Sequence, residues 1–263
     1  MTTIPLPTNS DYSLAKPDPA DLAGSPQSFG RFEFKYIIPD SLCPVIESEM
    51  REFMQVDPFC RDLPGQAYLV RSLYFDDTCY GDYYEKIDGM LQREKYRIRT
   101  YGRSPEAPVF LEIKGRRNHY CYKYRTPLDR LMLNRLEAHD WVGVLQATSD
   151  NPVLARFAAA ALRRNLRATL IVEYWRRPFV SQMDYRFRAT FDHTLRCLLA
   201  TRLEETPRRS RAALAGQTVL EVKFAQSVPS WFQRLIGAYE LNRLSVSKYC
   251  RAAEALTLVQ NLE

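Results

Sequence analysis

The sequence predicts an α+β fold: a sheet of about eight strands curls into a barrel with a basic lumen, and helices pack outside it. Three observations lead there. Strand-like segments recur with one ionised face: Glu33-x-Lys35, Glu112-x-Lys114 and Glu221-x-Lys223 share one form, Arg97-x-Arg99 and Arg186-x-Arg188 another. The opposite faces of these segments are aromatic or aliphatic. Several helical segments carry an apolar stripe that needs a surface to bury. Apolar faces under the helices and ionised faces turned toward one another close such a sheet into a barrel with a polar interior.

Taken in order, residues 1–28 are rich in Pro, Ser, Thr, Asp and Ala without a sustained period, and read as a disordered leader. Residues 29–263 read as one domain. Arg31 to Ile38 alternate charge with aromatics as a strand does, until Pro39 and Asp40 stop it. Ser41 then caps a helix whose apolar positions run from Leu42 through Phe53 and Met54. A strand follows over Tyr68 to Asp76, and an Asp- and Tyr-rich helical turn ends at Asp88-Gly89. The next strand, Gln92 to Tyr101, puts Arg93, Lys95, Arg97 and Arg99 on one face. Taken alone it is also consistent with a solvated edge strand charged against aggregation.

Val109 to Lys114 and Tyr120 to Arg125 form strands around a hairpin turn, with Lys123 and Arg125 opposite Tyr122 and Tyr124. Two helices follow, the second capped by Asn151 with Pro152 at its first position. Thr169 to Arg176 and Asp184 to Asp192 are strands. Residues 202–217, with Pro207, Arg208 and Arg209, read as an exposed basic loop. Val219 to Phe224 is the last strand, before helices that open at Pro229 and about Ser247.

Composition narrows the function. Of 263 residues, 46% are hydrophobic, enough for a packed core, and the net charge of +6 points to a polyanionic partner. Nucleic acid, an anionic membrane surface and phosphorylated small molecules all qualify. Nucleic acid is disfavoured, because the aromatics alternate onto the face opposite the cations, whereas base-stacking platforms share the basic face. No apolar run approaches a membrane span. Six scattered cysteines without paired spacing read as reduced thiols of a cytoplasmic protein. The three histidines have no metal spacing, and no Gly-rich phosphate loop or Ser-His-Asp arrangement is present. Asp76, Asp77 and Asp82 read as turn-capping acids, with a second metal site as the alternative. Cations confined in a lumen want an anion, and arginine's fork suits phosphate oxygens. Glu33, Glu112 and Glu221 either pair with those cations or hold a hard divalent metal.

The runs Phe32 to Pro39, Leu73 to Asp76, Tyr84 to Gly89, Arg93 to Gly102, Leu111 to Lys114, Val219 to Lys223 and Leu244 to Tyr249 resemble the VTC domain. This is the catalytic module of vacuolar transporter chaperone polyphosphate polymerases, within the CYTH-like triphosphate tunnel metalloenzymes. The resemblance spans roughly residues 30–255 and implies an eight-stranded antiparallel tunnel with helices outside. It implies that Lys35, Arg97, Arg99, Lys114, Arg176 and Arg188 bind the triphosphate or the growing chain, and that Glu221 is a metal carboxylate. Ser247 and Lys248 would contribute from the C-terminal segment, with Lys123 and Arg125 at further basic positions of the family. Strand parity adds Glu33, Arg186 and Lys223 to the substrate-facing set, and Glu112 as a second acid for metal.

One departure stands out. Triphosphatase and cyclase relatives open with Glu-x-Glu-x-Lys, whereas this chain has Arg31-Phe32-Glu33-Phe34-Lys35. A cation in place of one carboxylate disfavours hydrolysis and favours a site that handles more phosphate charge. The expected function is therefore a polyphosphate polymerase-like phosphotransferase using Mn²⁺ or Mg²⁺. Its partners would be a nucleoside triphosphate, ATP first, and polyphosphate or inorganic triphosphate. A metal-dependent tri- or polyphosphatase and a non-catalytic polyphosphate-binding module are the alternatives.

Overall fold

The computed structural model describes residues 32–118, 120–147, 150–205 and 210–259. The expected leader, Arg31, His119 and the Pro207 to Arg209 part of the basic loop lie outside the described residues. The ionised strands are β1 (Phe32–Pro39), β4 (Gln92–Tyr101), β5 (Val109–Arg117), β6 (Tyr120–Leu128), β8 (Arg188–Leu199) and β10 (Gln217–Phe224). With β3 (Tyr68–Asp76) and β7 (Arg167–Ser181) they make one curled antiparallel sheet in the order β1-β10-β8-β7-β3-β4-β5-β6. Two short strands, β2 (Met54–Val56) and β9 (Arg211–Ala212), pair with β7 and β8.

The period-two alternation sets this register, because a slip of one residue would turn every ionised side chain into the core. Lys35 thus faces Glu221, Lys223 faces Arg188 and Arg97 faces Glu112 on neighbouring strands. The opposite parity is apolar and is covered by helices. Leu73, Phe75, Tyr96, Ile98, Leu111 and Ile113 form one cluster with α3 (Arg130–Glu137), α4 (Trp141–Gln146) and α5 (Pro152–Arg164). Tyr36, Ile38, Phe191, Leu220 and Val222 form a second with α1 (Cys43–Met50) and α6 (Ser230–Ala238). The Asn151 side chain accepts from the N–H groups of Val153 and Leu154, so α5 starts at the expected cap.

Part of the concave face is apolar as well. There α7 (Lys248–Ala255), together with α2 (Gly81–Ile87), brings Tyr249, Cys250, Ala252 and Ala253 against Val70, Tyr74, Val172 and Leu195. The segment leading into α7 runs along the outer edge of β1, where Leu244 N–H donates to the Lys35 carbonyl at 2.8 Å. Ser247 caps α7 by accepting from Cys250 N–H. This route places Lys248 inside the curl.

Several boundaries differ from the sequence reading. The first helix ends at Met50, and Met54 and Val56 instead belong to β2, whose apolar side chains are buried against β7. Among the described residues three helices, not two, separate β6 from β7; α4 exists because Asp140 caps Gly143 N–H ahead of Trp141 and Val144, both buried. The strand expected from Asp184 begins at Arg188, since residues 181–187 turn on the Ser181 and Asp184 side chains, which accept from local backbone N–H groups. Thr194, with φ of 52°, lies within β8 where the register between β7 and β8 shifts at Glu173/Trp175.

Candidate active site

The concave face collects charge from β1, β10, β8, β7, β4, β5 and β6 and from α7, with the Tyr74 phenol from β3. At its centre is Glu112, fully buried on β5. Arg97 Nη2 lies 2.6 Å from Glu112 Oε2 and Lys123 Nζ 2.9 Å from Oε1, while Arg99 and Arg125 stand at 3.9 and 3.7 Å. Burial acts to raise the Glu112 carboxyl, but Arg97, Lys123 and Arg99 hold it well below the usual carboxylate range. Both oxygens face cations, so Glu112 is engaged as the counter-charge of four of them.

A second acid, Asp192 on β8, takes the Arg176 guanidinium bidentately at 2.6 and 2.7 Å and Lys248 Nζ at 2.6 Å. The Tyr174 ring lies under both cations. The third group is a pair. Glu33 and Glu221 flank Lys35, whose Nζ is 2.9 Å from one and 3.9 Å from the other. Lys223 and Lys248 approach Glu221 at 3.0 and 3.8 Å, and Lys114 reaches across from β5 to Glu33 at 3.6 Å. Burial acts to raise both carboxyls, and Glu221 adds to that on Glu33. The surrounding lysines nevertheless bring Glu33 to about 2 and Glu221 well below its ordinary value. Both are carboxylates at any physiological pH.

The lumen brings together Glu33, Lys35, Arg97, Arg99, Glu112, Lys114, Lys123, Arg125, Arg176, Glu221, Lys223 and Lys248. Arg188 lies at its rim, paired with Asp57 at 3.0 Å. Ser247 is tied to the β4 wall, where its Oγ accepts from Lys95 Nζ at 3.4 Å. Arg186 is not part of the site: it sits in the exposed turn before β8, where its Nε donates to Asp184 at 2.9 Å.

Sequence reasoning passed over Asp192, Tyr74, Tyr174 and Lys95. Parity had already put Asp192 on the face of Arg188 and Lys95 on that of Arg97, so both signals were present. Tyr74 accepts from Arg97 Nη1 at 3.0 Å. Burial acts to raise its phenol, but Arg97 and Arg99 outweigh burial and lower it to about 8.

Among the described residues no cluster of three or more His, Cys, Asp or Glu forms. Glu33 and Glu221, on adjacent strands either side of Lys35, offer carboxylate oxygens of the kind a hard ion such as Mg²⁺ or Mn²⁺ takes, its other ligands coming from phosphate and water. The described residues contain no helix long and apolar enough to cross a membrane.

Comparison with known proteins gives a family match and distant structural likenesses. The VTC domain model matches residues 30–257. No curated protein matches. Among solved structures, the chain is similar to a candidate adenylate cyclase from Bacillus halodurans, with 11% identity, TM-score 0.48, and coverage of 83% of this chain and 96% of that one. It is also similar to a candidate adenylyl cyclase from Hippeastrum with a dominant triphosphatase activity, with 12% identity, TM-score 0.44, and 88% and 99% coverage. A mimivirus capping enzyme triphosphatase shares 10% identity, TM-score 0.34, and 80% and 87% coverage.

Two outcomes follow from this geometry. Glu112→Gln removes the charge shared by Arg97, Arg99, Lys123 and Arg125, so urea unfolding should show a loss of about 3–5 kcal/mol, the cost of leaving buried charge unpaired; unchanged stability would mean Glu112 is not their anchor. The Tyr74 phenol is lowered in the folded state, so its stabilising contribution is fully present above its ordinary value near 10 and is lost as pH falls through about 8. The phenolate also opposes anion binding. Tripolyphosphate affinity measured by calorimetry should therefore weaken as pH rises past about 8, by about tenfold for each unit the ligand shifts the phenol back up. Tyr74→Phe should flatten that step, and a step that persists in the variant would assign it elsewhere.

Proposed function

The chain belongs to the VTC domain family, and we propose that it is a phosphotransferase of the polyphosphate polymerase type. It moves the γ-phosphate of a nucleoside triphosphate, ATP in the first instance, onto a polyphosphate chain lying in the lumen. One observation carries this reading. Cations crowd the concave face in excess of Glu33, Glu112, Asp192 and Glu221, so the enclosure is electrically incomplete without a polyanion. The buried free thiols Cys43, Cys60, Cys197 and Cys250 support a reducing, cytoplasmic setting.

The chemistry asks little of the protein beyond position and charge. A terminal oxygen of polyphosphate is already ionised near neutral pH and needs no general base. It attacks the γ-phosphorus, the bond to the β–γ bridging oxygen breaks, and the nucleoside diphosphate leaves with the electron pair. Arg97, Arg99 and Arg176 are fixed by Glu112, Ser72 and Asp192 before substrate arrives, so they need no reorganisation at the moment of transfer. Lys35, Lys114, Lys223 and Lys248 form the second cationic wall around Glu33 and Glu221. Those two carboxylates would hold Mg²⁺ or Mn²⁺, which when bound neutralises the β- and γ-phosphate oxygens.

Purified protein incubated with labelled ATP and Mn²⁺ should yield label in long polymer on gel electrophoresis. Glu221→Gln should lower that yield on the order of 10²–10³-fold while tripolyphosphate still binds through the cations. Label appearing only as free phosphate would make the protein a hydrolase, and Glu221→Gln with full activity would remove Glu221 from the reaction.

A further inference from the structure

A second basic region lies outside the lumen, where the start of β4, the end of β5 and the C-terminal half of α5 meet. It is a cleft of about 340 Å³. Local packing shapes its wall. Gly115 lets the Tyr122 ring cross the strand, since a Cβ there would sit 2.2 Å from that ring. Tyr122 then donates to Glu94 Oε1 at 2.6 Å and Tyr96 donates to Oε2 at 2.5 Å, while Arg156 ion-pairs with the same carboxylate. Glu94 is thereby fully engaged. Arg164 is likewise committed, to Asp77 at 2.9 Å and Asp82 at 2.8 Å.

Arg93, Arg116, Arg117 and Arg163 also line the cleft, with Glu85 as its acid beside Glu94, and no ion pair joins any of the four to a carboxylate among the described residues. Arg93 and Arg116 are direct cross-strand partners. Like charges placed opposite each other are destabilising; Arg93 donates to the Met90 carbonyl and Arg116 Nε to the Asn118 carbonyl at 2.7 Å, and neither is ion-paired among the described residues. The next register pair inward on the same faces is Lys95 with Lys114, the lysine that reaches Glu33 in the lumen. Two such pairs, separated by two strand residues or about 6.8 Å, set cations at successive register steps between the lumen and the cleft.

We propose that this cleft binds the part of a polyphosphate chain that extends beyond the lumen, with Arg93 and Arg116 as the hand-over point and Arg117 and Arg163 as outer contacts. The inference rests on the lumen being a polyphosphate site and makes chain length the discriminating variable. A short oligophosphate satisfies the lumen alone. A long chain engages both regions, and linking two sites raises apparent affinity without new contacts at either.

The test uses the full chain at fixed ionic strength, with direct binding of tripolyphosphate and of polyphosphate several tens of units long. Arg117→Glu/Arg163→Glu reverses two charges of the cleft. Arg202→Glu/Arg234→Glu makes the same charge change at exposed arginines that do not line it. The wild type should bind the long chain at least tenfold more tightly than tripolyphosphate, as expected where two linked sites act together. The cleft variant should lose that advantage yet bind tripolyphosphate within about twofold of wild type, and the control should keep it. Full long-chain affinity in the cleft variant, or an equal loss in the control, overturns the cleft while leaving the lumen reading intact. A wild type that binds neither ligand overturns the lumen reading, and the cleft with it.

Discussion

The structure depends on the price of enclosing like charges. Arg97, Arg99, Lys123 and Arg125 converge on the single carboxylate of Glu112, which water does not reach. Without that counter-charge the β4-β5-β6 wall would hold unpaired guanidinium and ammonium groups where screening is weak. Asp192 does the same for Arg176 and Lys248, and Glu221 for Lys35 and Lys223. Each acid sits on a strand whose opposite face is locked under helices, so the core packing that fixes register also fixes the electrostatics.

The proposed function follows from what these acids leave undone. They organise the cations without matching their number, so the lumen's cations are held in place and it stays positive. That placement matters because a phosphoryl transition state is stabilised by charges that are already in place. The C-terminal segment joins the two walls: Leu244 follows β1, Ser247 meets Lys95 of β4, and Lys248 lies between Asp192 and Glu221. Helix α7 thereby fills the apolar end of the concave face and delivers a lysine to its polar end.

Much of this was legible in the sequence because alternation has only two phases. Once Tyr36 or Ile98 must be buried, Lys35 and Arg97 must point the other way, and Glu-x-Lys on three strands announced a shared interior. The parts that were not legible depend on contacts distant in sequence or on single-residue turns. Arg186 shares the parity of Arg188, yet Asp184 captures it in a turn before the strand begins. The four cations around Glu112 come from β4 and β6, strands whose registry with β5 periodicity does not reveal. The apolar patch under α7 escaped notice because Val70, Val172 and Leu195 read as ordinary strand residues until the helix covering them is seen. Asp192 was visible by parity, but a search for phosphate-binding cations passes over the acid that positions them.

On the proposed reading, the cations that the folded chain encloses in excess of its acids are relieved by a linear polyanion. Thermal unfolding in tripolyphosphate, against sulfate at equal ionic strength, tests this most directly. A ligand at a hundredfold excess over its dissociation constant adds about 2.7 kcal/mol, and a domain of this size gains about 2–4 °C for each kcal/mol. Tripolyphosphate should therefore raise the melting temperature by several degrees more than sulfate does. Equal shifts from the two anions would mean that the lumen's charge is already balanced from within, and would contradict an interior that waits for a polyanion.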